Sequence, residues 1–268
     1  MEYPPLTVRV LTFNTAVGNP KITTRQRDLL SLPFYREVIE GVPGAPILAL
    51  QEVGAEQATA LKQARAGGRF ELIHIQRPGQ GNALLIPARY AVKRRRSRPF
   101  VLSQLRALTS ALGRTVTRRE RLNVRQYLEL RFWSCARLAD SESGLELTVF
   151  NTHLSGEGPL RLAQARALAR RVHRERERRP VILAGDLNVR ATGGPAADGA
   201  AQALFAPLQD MAPAAVDPRR PAIDWILASG FEPVAARLYT DDAISLPGSP
   251  TAELVSDHYA KEAVLRPR

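Results

Sequence analysis

The chain has 268 residues, with 38 Lys+Arg against 26 Asp+Glu and one cysteine. That length buries a sizeable core unaided, and the lone Cys135 excludes an intramolecular disulfide framework or a cysteine-rich zinc site. A formal net charge of +12 points to an anionic partner: nucleic acid, a phosphorylated small molecule or an acidic lipid surface.

From the start, Met1-Glu2-Tyr3-Pro4-Pro5 lacks the basic opening and apolar stretch of a secretory signal. A cytoplasmic protein is expected, or a secreted one if a leader has been trimmed, and it is expected to be a monomer with no disulfide-linked partner. Val8–Phe13 predicts a first strand, and Thr24–Gly41 an amphipathic helix broken or kinked at Pro33. A strand over Ile47–Gln51 precedes a helix over Ala55–Ala66, stopped by Gly67-Gly68. Strands follow at Phe70–Gln76, Ala83–Ile86, Tyr127–Trp133 and Leu145–Asn151. Pro159–Arg178 is the clearest helix, with Leu160, Ala163, Ala167 and Arg170-Val172 tracing one face and arginines crowding its end. The remaining strands are Val181–Ala184, Ile223–Leu227, Val234–Tyr239 and Ala260–Leu265, with loops at Thr192–Ala201 and Ala212–Pro221. Strands interleaved with helices predict a layered α/β fold, and no linker divides residues 1–268, so one domain is expected.

The charge is uneven. Eleven cations lie between Lys93 and Arg125 against the single anion Glu120, so this 33-residue stretch carries +10 of the chain's +12. Leu102, Leu105, Leu108 and Leu112 have helical spacing, which predicts a basic insertion holding a short helix between arginine-rich loops. Arg94, Arg95, Arg96, Arg118 and Arg119 are its candidate phosphate contacts, since guanidinium forks onto phosphate oxygens. The competing reading is a solvated flap. Aromatics are only 6% of the chain, which favours backbone contact over base stacking.

Polar residues ending buried strands are costly unless they face a cleft. Asn14 follows Val10–Phe13, Gln51-Glu52 follows Ile47–Leu50, and Asn151-Thr152-His153 follows Leu147–Phe150. Asp186-Leu187-Asn188 follows Val181–Gly185, Asp224 lies in Ile223–Leu227, and Asp257-His258 precedes Tyr259-Ala260. Taken singly, each has an ordinary reading as a turn, a cap or a satisfied loop side chain. As an ordered set they are what one polar site at the edge of a sandwich needs.

Leu11-Thr12-Phe13-Asn14, Gln51-Glu52-Val53, Asn151-Thr152-His153-Leu154, Gly185-Asp186-Leu187-Asn188, Ile223-Asp224-Trp225 and Ser256-Asp257-His258 resemble, in order, the endonuclease/exonuclease/phosphatase superfamily of deoxyribonuclease-I-like metal-dependent phosphodiesterases. Gly81-Asn82-Ala83-Leu84-Leu85 is similar to that family's glycine-rich approach to a central strand. The resemblance implies a four-layer α/β sandwich, two packed mixed β-sheets flanked by helices, and phosphate-ester hydrolysis with Mg²⁺ or Mn²⁺. It implies Glu52 as first metal ligand, with Asp257 and Asn14 completing or neighbouring the site. Asp186 would orient and deprotonate the attacking water, and Asn188 would donate to the nucleophile or the developing charge. Asp224 would orient His258 against the scissile phosphate, with His153 facing the phosphate or the leaving oxygen; which imidazole is acid and which base stays open. The abasic-site repair branch tends to carry tyrosine where His153 stands, which argues against that branch. Arg125, just before the strand expected at Tyr127–Trp133, is the candidate for the family's phosphate-contacting arginine.

Three functions are ranked on this basis. The first is a nuclease acting on DNA or RNA. The second is a phosphodiesterase of lipid head groups or phosphoinositides, since basic residues also address an anionic membrane. A non-catalytic nucleic-acid-binding module is a distant third, because no site residue is missing.

Overall fold

The computed structural model describes residues 6–16, 28–75, 81–102, 105, 108–109, 130–190, 199–213, 215, 223–240 and 256–268. The chain runs β1 (Val8–Asn14), a 3₁₀ turn (Asp28–Ser31), α1 (Pro33–Glu40), β2 (Ile47–Val53), α2 (Ala55–Arg65), β3 (Phe70–Ile75), β4 (Gly81–Pro87) and β5 (Tyr90–Pro99). It continues with β6 (Phe132–Asp140), β7 (Glu146–His153), α3 (Gly158–Arg176), β8 (Val181–Asp186), α4 (Gly199–Phe205), β9 (Gln209–Asp210), β10 (Asp224–Ser229), β11 (Phe231–Tyr239) and β12 (Ala260–Pro267). These form two six-stranded sheets, ordered β11-β12-β1-β2-β4-β3 and β5-β6-β7-β8-β10-β9. Both are mixed, because β1 runs parallel to β2 and β7 parallel to β8.

Period-2 alternation builds three apolar layers. Val8 and Val10 of β1, Ile47 and Ala49 of β2, Leu147 and Val149 of β7, and Ile182 and Ala184 of β8 meet between the sheets. The opposite faces, Leu11 and Phe13 of β1 and Leu48 and Leu50 of β2, pack on Phe34, Tyr35 and Val38 of α1 and on Leu61 of α2. On the second sheet, Phe150, Leu183 and Leu227 pack on Leu168 and Val172 of α3 and Leu204 of α4. This is the expected four-layer sandwich.

Several local expectations need adjusting. Of the break or kink expected at Pro33, the structure shows the break: a 3₁₀ turn over Asp28–Ser31 ends before it and α1 begins at it, because its missing N–H costs nothing in a first turn. The segment from Lys93 to Pro99 is not loop but strand β5, the edge of the second sheet, so Arg94, Arg95 and Arg96 project from a ladder with β6. A run of arginines hides strand alternation from any hydrophobicity pattern. Residues 101, 102, 105, 108 and 109 are helical, as the leucine spacing predicts. Arg118, Arg119 and Arg125 lie outside the described residues. Of the strand expected over Tyr127–Trp133, residues 127–129 lie outside the described residues and the described strand begins at Phe132; Gly199–Ala201, expected in a loop, opens α4. Helix α3 is rotated from the expected face: Leu160, Ala165, Leu168 and Val172 are buried, whereas Ala163 and Ala167 are only half-buried.

The sheets are joined by buried amides as well as by apolar contact. Asn151 on β7 reaches across the sandwich and donates to the carbonyls of Leu50 and Ala83, each at 2.9 Å. Its own Oδ1 accepts from Gln51 Nε2 at 2.9 Å, and Gln51 Oε1 accepts from Thr12 at 3.3 Å. All three side chains are fully buried. At the other end of the second sheet, Arg89 forks onto Asp140 with bonds of 2.8 and 2.5 Å. Burial alone would raise the Asp140 carboxyl, but Arg89, Ser143 and the Glu142 N–H hold it down at about 2.

Asn151→Leu should destabilise the protein by about 3 kcal/mol in urea unfolding, since it strands two buried carbonyls and the Gln51 amide together. The Asp140 pairing contributes stability at neutral pH that disappears as pH falls from the ordinary value of 3.8 through about 2. Unfolding midpoints of wild type and Asp140→Asn should therefore differ at pH 7 and converge near the acid end of that interval.

Candidate active site

The inward parity that places valines and isoleucines between the sheets also delivers polar side chains to one edge. Continuing β1 inward past Val10 gives Thr12 and then Asn14; β2 past Ala49 gives Gln51; β7 past Val149 gives Asn151 and then His153. In β8, Asp186 follows Ala184, and in the antiparallel β10, Asp224 precedes Ile226. Register aligns them: His153 and Asp224 flank Asp186 on its two neighbouring strands. Apolar patterning is thus the positional device for the site.

Glu52 breaks this parity. As the neighbour of Gln51 it should face the helices, yet its φ is +54°, in the left-handed region that non-glycine residues rarely enter. The β2–β4 ladder slips between Leu50 and Val53, forming a bulge that turns the carboxylate into the cleft. Gly81 stands opposite, and a Cβ there would lie 2.5 Å from the Val53 carbonyl. Gly185 makes the second close approach: its φ is +146°, and a Cβ would fall 2.0 Å from Thr152 O, so β8 reaches its register with β7 only with glycine before Asp186.

Asp186 is the hub. Its Oδ1 accepts the Asn188 N–H at 3.0 Å and its Oδ2 accepts Asn14 Nδ2 at 3.0 Å. The same Oδ2 lies 3.4 Å from His153 Nε2 and 3.9 Å from His258 Nε2. Asn14 Nδ2 also reaches Glu52 Oε1 at 3.3 Å, while its Oδ1 accepts the Ala16 N–H at 2.9 Å. In this arrangement Asn14 directs its amide N–H groups at two carboxylates. Asp224 Oδ2 contacts His258 Nδ1 at 2.7 Å, a carboxylate–imidazole pair that orients the ring. Ser256 anchors that ring's backbone, accepting the His258 N–H at 3.0 Å and donating to Asn14 O at 2.7 Å. Asn188, with φ +51°, donates its side-chain amide to Leu154 O at 2.9 Å. Asp257 is the outermost member, its Oδ1 4.0 Å from His258 Nε2.

Burial sets the electrostatics. It raises Glu52, with Asp257 adding to the effect and Asn14, Arg131 and His258 only partly opposing it. It raises Asp186 too, reinforced by Asp224 across the ladder. Burial, with the charges of Arg131 and His258, holds His153 well below the ordinary imidazole value, so that ring is neutral at pH 7. Four carboxylates, those of Glu52, Asp186, Asp224 and Asp257, therefore share one cleft, and Asp186, Asp224 and His258 each offer a ligand atom within 4.8 Å of the others. The carboxylate oxygens of this set, negatively charged, suit a hard divalent cation. His258 Nδ1 is engaged by Asp224, and Glu52 and Asp257 are the more exposed carboxylates of the cleft, their side chains 19% and 40% exposed against 3% for Asp186.

Residues 11–258 match the Endonuclease/Exonuclease/phosphatase family. The chain belongs to that family, whose members are phosphoric ester hydrolases and generally depend on divalent metal. Its fold is similar to an endonuclease/exonuclease/phosphatase from Bacteroides vulgatus, with TM-score 0.69, 18% identity, and 98% and 99% of the two chains covered. It is also similar to D. rerio TDP2 complexed with single-strand DNA product, with TM-score 0.66, 16% identity, and 97% and 99% covered. Truncated Caenorhabditis elegans TDP2 gives TM-score 0.64 at 16% identity, with 97% of both chains covered. No curated protein matches the chain by sequence.

Sequence reasoning quoted Gln51, Asn151 and Ser256 within motifs but gave them no role; here they brace the cleft. It missed Arg131, whose charge acts on both Glu52 and His153. Arg131 directly precedes β6 and so also fits the description of an arginine just before that strand, whereas Arg125 lies outside the described residues.

Gly185→Ala should cost roughly 2–3 kcal/mol in chemical denaturation, since backbone must move to admit the methyl. Any folded fraction should show Asp186 displaced from His153 in a crystal structure.

Proposed function

We propose that this protein hydrolyses phosphodiester bonds of nucleic acid, using a divalent cation held by Glu52 with Asp257. The observation carrying this reading is the convergence of Glu52, His153 and His258 on the single carboxylate of Asp186, with every separation at or below 3.9 Å from Asp186 or its Asn14 brace. A hard cation there supplies Lewis acidity to a non-bridging phosphate oxygen.

The chain's own groups do the rest. Asp186, buried and raised, is the acceptor for a proton of the attacking water. Asn14 fixes the separation of Asp186 from Glu52, so base and ligand keep their places. His258, held by Asp224, presents Nε2 to the phosphate, and neutral His153 offers an N–H without adding charge. Asn188 keeps Asp186 oriented through its backbone N–H and can turn its remaining side-chain N–H toward developing negative charge. Arg131, whose charge acts on Glu52, joins Arg125 as a candidate phosphate-contacting arginine.

Nucleic acid is preferred as substrate because the net charge is +12 and the D. rerio TDP2 neighbour was crystallised with single-strand DNA product. A lipid head-group phosphodiesterase is the second reading, favoured by one observation: Leu102 and Leu105 are 73% and 53% exposed near the basic strand β5.

A panel of plasmid, single-stranded DNA, RNA, sphingomyelin and a chromogenic phosphodiester separates these readings, run with Mg²⁺, Mn²⁺ or chelator. Metal-dependent cleavage of the oligonucleotides is expected. Asp186→Ala, His153→Ala and His258→Ala should each lose about 10²–10⁴ in rate. Near wild-type hydrolysis by Asp186→Ala would remove the mechanism. Mg²⁺ should also raise the melting temperature of wild type and leave Glu52→Gln unmoved, a binding readout independent of turnover.

A further inference from the structure

Outside the cleft, the strongest unassigned feature is a trough on the outer face of the second sheet, between edge strand β5 and helix α3. One wall is β5, where Arg94, Arg96 and Arg98 recur at every second residue and so share a face. The other wall is α3 and its extension, where Arg166, Arg170, Arg171, Arg174 and Arg178 recur at helical spacing. The two sets line the same adjoining hollows, of about 210 and 610 Å³, over a floor containing Trp133 and Phe150. All eight arginines are exposed, and among the described residues none is paired with a carboxylate. The acid in the trough, Glu175, is already forked by Arg137 at 2.7 and 3.0 Å. Arg171 lies over the Trp133 ring at 5.6 Å, so one wall already leans on the floor.

We propose that this trough binds the sugar–phosphate backbone of a single-stranded nucleic acid. Cations recur about every 6–7 Å along both walls, from two residues of strand rise or four of helix rise, a spacing suited to successive phosphates of an extended strand. The floor spans β6 and β7, about 10 Å of sheet, which admits one backbone and not a duplex. A bilayer surface is flat and meets only the rims, whereas a flexible linear polyanion reaches both walls at once. The trough's Arg98 end is level with the catalytic edge, since Arg98 pairs with Trp133, which pairs with Thr152 beside His153. A strand held there runs toward the cleft, and the proposal rests on the nucleic-acid reading above for the identity of its polyanion.

The test is fluorescence anisotropy with a labelled oligothymidylate of about 30 nucleotides across a salt series. Arg170→Glu/Arg174→Glu and, separately, Arg94→Glu/Arg96→Glu should each weaken binding at least about tenfold and flatten the log–log salt slope by about 1.4, the share of two phosphates. Both variants should keep wild-type hydrolysis of the chromogenic phosphodiester, which needs only the cleft. Arg36→Glu/Lys62→Glu, an equal charge change on α1 and α2, should leave binding unaltered. Unchanged affinity in both trough variants, or an equal loss in the α1/α2 control, overturns the proposal. So does trough-dependent binding to phosphatidylserine vesicles with oligonucleotide binding intact. If wild type fails to hydrolyse the small substrate while the trough variants still lose oligonucleotide, the catalytic reading fails and the trough stands.

Discussion

Two sheets packed face to face slide easily when only methyl groups meet between them, yet this site draws its members from both. Asn14 and Glu52 belong to the first sheet; His153, Asp186 and Asp224 belong to the second. What holds the two registers together beneath the cleft is the buried exchange between Asn151 and the Gln51 amide, with the Leu50 and Ala83 carbonyls. Amide hydrogen bonds are directional where dispersion is not, and leaving them unmade in the interior is expensive. Every distance across the cleft, including that from Asn14 to Asp186, depends on this lock.

Above the lock, the cleft works by opposing tendencies. Burial disfavours the ionised carboxylates of Glu52 and Asp186, and it is opposed only in part: at Glu52 by the Asn14 amide and the Arg131 and His258 charges, and at Asp186 by His258, the Asn14 amide and the Asn188 N–H. The imidazole of His153 is pressed the other way, toward neutrality. A cleft with surplus negative charge, neutral donors and one oriented carboxylate–imidazole pair is prepared for a cation and an anion arriving together. The family membership and the local chemistry agree on that point, although each was reached from different observations.

Much of this was legible from residues alone. Strand-ending polar residues announce a cleft because nothing else justifies them, and the parity of Val10, Ala49, Val149 and Ala184 carries directly to Asn14, Gln51, His153 and Asp186. What was hidden follows physical lines. Strand β5 was invisible because arginines on both of its faces leave no alternation to see. The orientation of α3 was misjudged because alanine is indifferent between core and surface, so Ala163 and Ala167 pulled the apolar face away from Ala165 and Leu168. The facing of β5 and α3 joins arginines about 70 residues apart, and a window of charge along the chain does not register such a pairing in space. Glu52 stood out as a strand-ending polar residue, but its role as a ligand came from the motif resemblance; alternation alone points it at the helices.

The bulge at Glu52 separates heredity of shape from heredity of chemistry. One surplus residue in β2 is all that diverts this carboxylate, and a deletion restoring regular pairing with β4 would leave both sheets, their lock and most of the apolar layers in place while turning the acid outward. Relatives that keep the architecture but abandon hydrolysis could therefore arise in one step. The left-handed backbone at this position reports the placement of this carboxylate more directly than overall resemblance of fold does.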